Sequence, residues 1–267
     1  MKHTYQVTFL LLSLFFLAQL IGLFVANYYL DRELPYGMER PQIEEEKPVQ
    51  STFLMMAAII IASIIFIIFA RFKLSFLWKI WFFLAVLLML SITFASFLNH
   101  TIAFVLALTL AFFKVVKRNI VIHNITEIFM YGAVSAIFAP VLSVKIALMF
   151  LAAISVYDII SVFVTKHMVT MAKFQTKLGL FAGLLIPYKR NIAVLGGGDI
   201  GLPLLFSSVL IRDYGLYNAI IVSISATLAL CILLYKAEKK KFYPAMPFIT
   251  AGCLFGYLAI YLFSFYL

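Results

Sequence analysis

Apolar residues along the 267-residue chain fall in blocks of about 20, the length at which a helix crosses the ~30 Å hydrocarbon core of a bilayer. The blocks are continuously apolar instead of alternating. This predicts helices and excludes a transmembrane β-barrel. The pattern predicts nine spans, at about 6–30, 52–70, 76–97, 101–116, 122–140, 142–166, 191–211, 214–235 and 243–265. Arg71 and Lys73 close the second span. Lys114, Lys117 and Arg118 close the fourth, Pro140 the fifth and Lys166-His167 the sixth. A tight connection at Asn99-His100 joins the third to the fourth. The polar connector from Asp31 to Gln50 holds six of the 11 acidic residues and reads as an ordered or partly ordered external loop.

Composition agrees with the pattern. Hydrophobic residues make up 65% of the chain and charged residues 12%, too apolar for a soluble domain. The run from Val7 to Tyr29 after Lys2 exceeds the roughly 7–15 apolar residues of a signal peptide, so it is expected to be an uncleaved first span. Nine spans put the termini on opposite sides. One side collects all but five of the 21 Lys and Arg residues, leaving Arg32, Arg40, Lys47, Lys145 and Arg212 on the other. The basic side is cytoplasmic by the positive-inside rule, so the amino terminus is expected inside and the carboxyl terminus outside. The same accounting absorbs the net charge of +10 and excludes nucleic-acid binding. Cys231 and Cys253 lie at different depths in separate spans, which predicts buried packing without a disulfide. His3, His100, His123 and His167 all fall at span ends, where interfacial or solvated roles are expected, and no cluster has metal-ligand spacing.

Three acids fall within spans: Glu127, Asp158 and Asp199. Glu127 follows His123, Asn124 and Thr126, a polar neighbourhood that predicts an interfacial structural role. Asp199 ends the run Gly196-Gly197-Gly198-Asp199. An acid in a span costs ~2.5–3.5 kcal/mol, and each glycine weakens a helix by ~1 kcal/mol relative to alanine. Pro203 lacks the N–H that would bond the Asp199 carbonyl. Asp158 lies eight residues before Lys166 in the sixth span. Asp199 lies about as far into the seventh, counted from Lys189-Arg190. At 1.5 Å per residue both sit ~12 Å below the cytoplasmic boundary, on antiparallel neighbours. Two carboxyls at one level share a proton and titrate as a unit. Such a pair suits peptide hydrolysis, one activating water and the other donating to the carbonyl oxygen. Pro244-Ala245-Met246-Pro247 opens the ninth span, with prolines suited to a helix start. Gly252 and Gly256 have the spacing of a helix-packing motif.

Together these sites resemble the presenilin and signal peptide peptidase family of GxGD intramembrane aspartyl proteases. Tyr157-Asp158 looks like the family's YD motif in the sixth span. Gly196-Gly197-Gly198-Asp199 fits GxGD in the seventh. Pro244-Ala245-Met246 resembles PAL in the ninth, with Met246 replacing leucine at similar volume and apolarity. The resemblance implies an all-α membrane protein with a nine-helix presenilin-like fold. It also implies an intramembrane aspartic endopeptidase with Asp158 and Asp199 as the catalytic pair. Tyr157, Gly196, Gly197, Gly198, Pro244, Ala245 and Met246 would shape the site or bind substrate.

The chain reads as one integral membrane domain in three parts. Residues 1–168 hold six spans, 169–190 form a cytoplasmic or interfacial connector, and 191–267 hold three spans. The connector is short beside that of presenilins, which predicts a single-chain enzyme active without a maturation cut. It is expected to lie along the membrane surface. The implied substrates are single-span membrane proteins or signal-peptide-like helices, in the cell membrane of a prokaryote or the endomembranes of a eukaryote. No cofactor or metal is expected, only a catalytic water. Nothing in the sequence calls for accessory subunits. Two rivals remain at this point. A proton- or cation-coupled transporter would use Asp199 on a broken helix, but an odd span count and the lack of repeats oppose it. A prepilin-type aspartyl peptidase would not need Tyr157-Asp158 or the Pro-Ala-Met turn.

Overall fold

The computed structural model describes residues 4–43, 46–71, 75–117, 119–165, 181–188, 191–238 and 243–266. Eight of its helices are long and apolar enough to cross a membrane. In chain order the elements are α1 (Tyr5–Tyr28), α2 (Pro48–Arg71), α3 (Ser75–Ala95), α4 (His100–Phe112), α5 (Ile120–Phe138) and α6 (Val144–Ile159). Two strands follow, β1 (Gly183–Tyr188) and β2 (Asn191–Gly196). The chain closes with α7 (Gly197–Lys236) and α8 (Met246–Tyr266). The chain is an integral multi-pass membrane protein.

Local chemistry sets the helix starts. Asn99 caps α4 by accepting the Ile102 N–H at 2.9 Å. Asn119 caps α5 through the Val121 and Ile122 N–H groups, and Ser143 caps α6 through Ile146. Each cap satisfies donors that a helix leaves open at its amino end. α5 ends in a 3-10 turn at Ala139–Val141, around Pro140. α4 and α6 each run on into a π-helical turn, Phe113–Lys117 and Ile160–Val164.

α7 spans 40 residues, or ~60 Å at 1.5 Å per residue, twice the hydrocarbon thickness. Its helix is interrupted at Gly215, with φ 82° and ψ 166°, a left-handed conformation that favours glycine. The break falls beside the exposed pair Arg212-Asp213.

α1 packs against α5 and the first half of α7, and α8 packs along α7. Gln19 is fully buried in α1, and its Nε2 donates to the Ile200 carbonyl of α7 at 2.9 Å. α7 and α8 approach at Gly252, where an added Cβ would lie 2.8 Å from the Ser225 carbonyl oxygen. This is the close helix contact that the glycine spacing predicts. Cys231 and Cys253 are both free.

The two strands depart from the all-helical expectation. β1 and β2 pair antiparallel, from Gly183 opposite Gly196 to Tyr188 opposite Asn191. Residues 183–188 are therefore strand, not a surface-lying connector, and residues 191–196 precede the helix expected to contain them. Asn124 of α5 causes part of this. Its amide donates to the Leu185 carbonyl at 2.7 Å and accepts the Leu185 N–H at 2.9 Å. His123 pairs with the Gly183 carbonyl at 2.8 Å. One edge of β1 is thus satisfied by α5 and the other by β2, so extended backbone is stable inside the bundle. Of the rest of the expected connector, residues 169–180, 189 and 190 lie outside the described residues.

Candidate active site

Asp158 is the penultimate residue of α6 and is 4% exposed. Its Oδ2 accepts the backbone N–H of Met246 at 3.1 Å. The N–H of Ala245 bonds the same carboxyl. Both donors stand at the amino end of α8, where the helix has open N–H groups and a positive dipole end. α6 and α8 are tied again one turn away, where Ser155 Oγ and Thr250 Oγ1 lie 2.7 Å apart. Ser161 Oγ donates to the Asp158 carbonyl at 3.0 Å, inside the π-helical turn.

Asp199 stands in the first turn of α7 and is half-buried. Gly196 caps that helix with extended φ −65° and ψ 147°. The Asp199 carboxyl reaches back to the Gly196 N–H, as an acid at the third helical position does in a capping box. The Asp158 and Asp199 carboxyls interact electrostatically with each other. Each acid therefore sits on a helix amino terminus, and the two termini converge.

This placement corrects the sequence expectation for Asp199. It is not eight residues into a helix, because α7 begins at Gly197. The glycines do not weaken a helix interior; they turn strand β2 into helix α7. Gly197 is needed there for close approach. Its N–H donates to the Ala182 carbonyl at 3.0 Å. A Cβ on it would fall 2.7 Å from the Tyr131 hydroxyl. Around Gly198, by contrast, an added Cβ would meet nothing closer than Leu202, at 3.9 Å.

Pro244 and Met246 are buried and Ala245 is half-buried. The two backbones of Ala245 and Met246, not their side chains, touch Asp158. Tyr157 neighbours Asp158 in sequence but points ~100° around the helix from it. Its hydroxyl lies 3.2 Å from Ser63 Oγ of α2.

Two polar residues of α5 are enclosed by protein instead of solvated. Glu127 has a structural role, as expected, but inside the bundle: it is 0% exposed, and its Oε1 takes Lys114 Nζ at 2.5 Å. Tyr131 donates its hydroxyl to Glu127 Oε2. His123 is also buried, on the β1 backbone. Lys114 belongs to this interior cluster and not to the solvated end of its span. A buried acid persists in an apolar interior when a cation and further donors satisfy it, and α4 supplies that cation from 13 residues upstream. A lysine beyond a helix end normally reads as a boundary marker, so sequence alone hid the pairing. The spacing of Glu127 and Tyr131, four apart on one helix face, was the available signal.

The fold and site together define a helical membrane-embedded hydrolase with two acids at converging helix termini. The sequence profile described as "Signal-peptide peptidase, presenilin aspartyl protease" matches residues 12–265. The chain belongs to this family and is an intramembrane aspartyl protease. Two solved structures, both of a presenilin family intramembrane aspartate protease, share its fold. The one in the C222 space group is 16% identical, with a TM-score of 0.69, and the match covers 96% of this chain and 99% of that one. The one in the P2 space group is 17% identical, with a TM-score of 0.64 over 95% and 96% of the two chains. No curated protein sequence matches significantly.

Proposed function

We propose that Asp158 and Asp199 form the catalytic dyad and that the enzyme cuts peptide bonds within transmembrane segments. The observation that supports this reading is the convergence of two interacting carboxyls, each seated on a helix amino terminus. Helix termini favour the carboxylate form, while mutual repulsion opposes ionising both. One proton shared by the pair satisfies both conditions. The ionised acid takes a proton from water as it attacks the scissile carbonyl. The neutral acid donates to the carbonyl oxygen, and a proton then passes to the leaving nitrogen. The chemistry uses water and no metal or cofactor.

We read α7 as two spans joined at Gly215, which gives nine in all. The positive-inside rule then puts the amino terminus in the cytoplasm and the carboxyl terminus outside. Residues 1–168 supply Asp158. Residues 191–267 supply Asp199 and the Pro244-Ala245-Met246 turn, and 169–190 connect them. The substrates are single-span or signal-peptide-like helices, cut by a single chain without accessory subunits. A helix hides its amides, so the substrate must unwind first. β2 offers it a partner. Leu185 of β1 faces Asn124, so its opposite residue Val194 turns its backbone away from β1, as does Ile192. Both side chains are exposed, and an extended substrate can add to this edge.

The test mixes purified enzyme with a labelled transmembrane peptide, beside Asp158→Asn and Asp199→Asn variants. Cleavage by the wild type and by neither variant is expected. Undiminished cleavage by either variant sinks the dyad. Asp-dependent cation uptake in vesicles without cleavage would favour a transporter.

A further inference from the structure

Three polar side chains with no part in the dyad are sealed in the bundle beside it. Glu127, Lys114 and Tyr131 are 0%, 2% and 7% exposed. Lys114 Nζ donates to Glu127 Oε1 at 2.5 Å and to Thr126 Oγ1 at 2.9 Å. Glu127 Oε2 accepts the Tyr131 hydroxyl. Tyr131 in turn lies along the first turn of α7. A Cβ added to Gly197 would come within 2.7 Å of its hydroxyl, and one on Gly201 within 3.3 Å of its ring. The hydroxyl also interacts electrostatically with Asp199. A continuous set of contacts therefore runs from α4 through α5 to the turn that carries Asp199.

Stability alone does not account for this arrangement. A buried ion pair is often no better than well-packed apolar side chains of similar volume. What it does provide is a fixed position. Thr126 and Glu127 together fix the Lys114 ammonium, and Glu127, held by Lys114 through one oxygen, takes the Tyr131 hydroxyl on the other. The ring then acts as a stop against the Gly197 backbone, two residues before Asp199. His123 and Asn124, on the same helix, hold β1 and hence the strand that enters this turn.

We propose that Tyr131, held by Glu127 and Lys114, is a positioning residue that sets the Asp199 turn opposite Asp158. The inference rests on the reading of Asp199 as a catalytic acid. It involves no proton or bond transfer at Tyr131, only geometry. Misplacing a reacting group by about 1 Å costs up to ~100-fold in rate, so a partly released turn should show in turnover and not in substrate binding.

The experiment measures kcat and KM on a labelled transmembrane peptide. It compares wild type, Tyr131→Phe, the double variant Lys114→Met/Glu127→Leu, and Asp199→Asn. Tyr131→Phe keeps the ring and removes the hydroxyl; the double variant removes both charges and the acceptor of the Tyr131 hydroxyl, and keeps Tyr131 itself. Each is expected to lower kcat about 10-fold with KM within about twofold. Wild-type kcat in Tyr131→Phe, with Asp199→Asn inactive, overturns this inference and leaves the dyad standing. Activity in Asp199→Asn removes the dyad itself. If Tyr131→Phe does not fold, the double variant decides, and wild-type kcat there is equally fatal. Gly197→Ala gives an independent reading, since its new methyl presses on the Tyr131 hydroxyl. Its kcat loss should shrink in the Tyr131→Phe background, whereas strictly additive losses mean that the two residues act separately.

Discussion

The Asp158 carboxyl is held by the backbone of Met246, 88 residues away, through an N–H···O bond of 3.1 Å. The contact explains why methionine can stand where the family motif has leucine. Residue 246 acts on Asp158 through its main chain, and its side chain fills an apolar pocket at 2% exposure. Met246→Leu should therefore retain activity within about threefold, since the swap conserves volume. Met246→Pro removes the N–H at a helix position that tolerates proline. Losing a hydrogen bond to a charged group costs ~1.5–3 kcal/mol, so peptide cleavage should fall by one to two orders of magnitude. Equal activity of the two variants would show that this donor does not matter.

Asn124 should control the β1–β2 pair. Asn124→Ala removes both of its bonds to Leu185, each worth ~1 kcal/mol. Amide exchange at Leu185 and Ile186 is expected to accelerate at least 10-fold, with the helices of the bundle unaffected. Unchanged protection would mean that β2 alone holds the strand.

The Lys114–Glu127 pair makes a stability prediction separate from turnover. Lys114→Met leaves Glu127 buried without its cation, and breaking a buried pair costs ~3–5 kcal/mol. Adding Glu127→Gln should recover most of that loss. Thermal unfolding in detergent reads both variants. A double variant no more stable than the single one would contradict the pairing.

Gly252 carries the α7–α8 contact. A Cβ there meets the Ser225 carbonyl oxygen at 2.8 Å and the Ala226 Cα at 3.1 Å, and backbone atoms cannot step aside as a side-chain end does. The Ser225 hydroxyl also donates to the Gly252 carbonyl at 2.7 Å. Gly252→Leu should lower the melting temperature markedly, in line with overpacking costs of ~1–3 kcal/mol or more. Substitution of Gly198, where there is room, should leave the melting temperature near wild type.

The sequence by itself determined the membrane class, most of the long apolar helices, the placing of Asp158 and Asp199 as acids among apolar residues, and the start of α8 at the Pro-Ala-Met turn. These follow from local quantities: run length, the cost of an acid in an apolar block, and the backbone limits of glycine and proline. Tertiary structure decided the rest. Whether residues 183–188 became helix or strand depended on Asn124 and His123, some 60 residues upstream. Their bonds satisfy one edge of β1, and without them extended backbone inside the bundle would be costly. Glu127 looked interfacial because its chain neighbours are polar, yet Lys114 and Tyr131 enclose it. Asp199 was legible as a costly acid but not as a residue of a helix's first turn. Hydropathy has the same value for an apolar strand and an apolar helix, and only the partners that take up the backbone groups distinguish them.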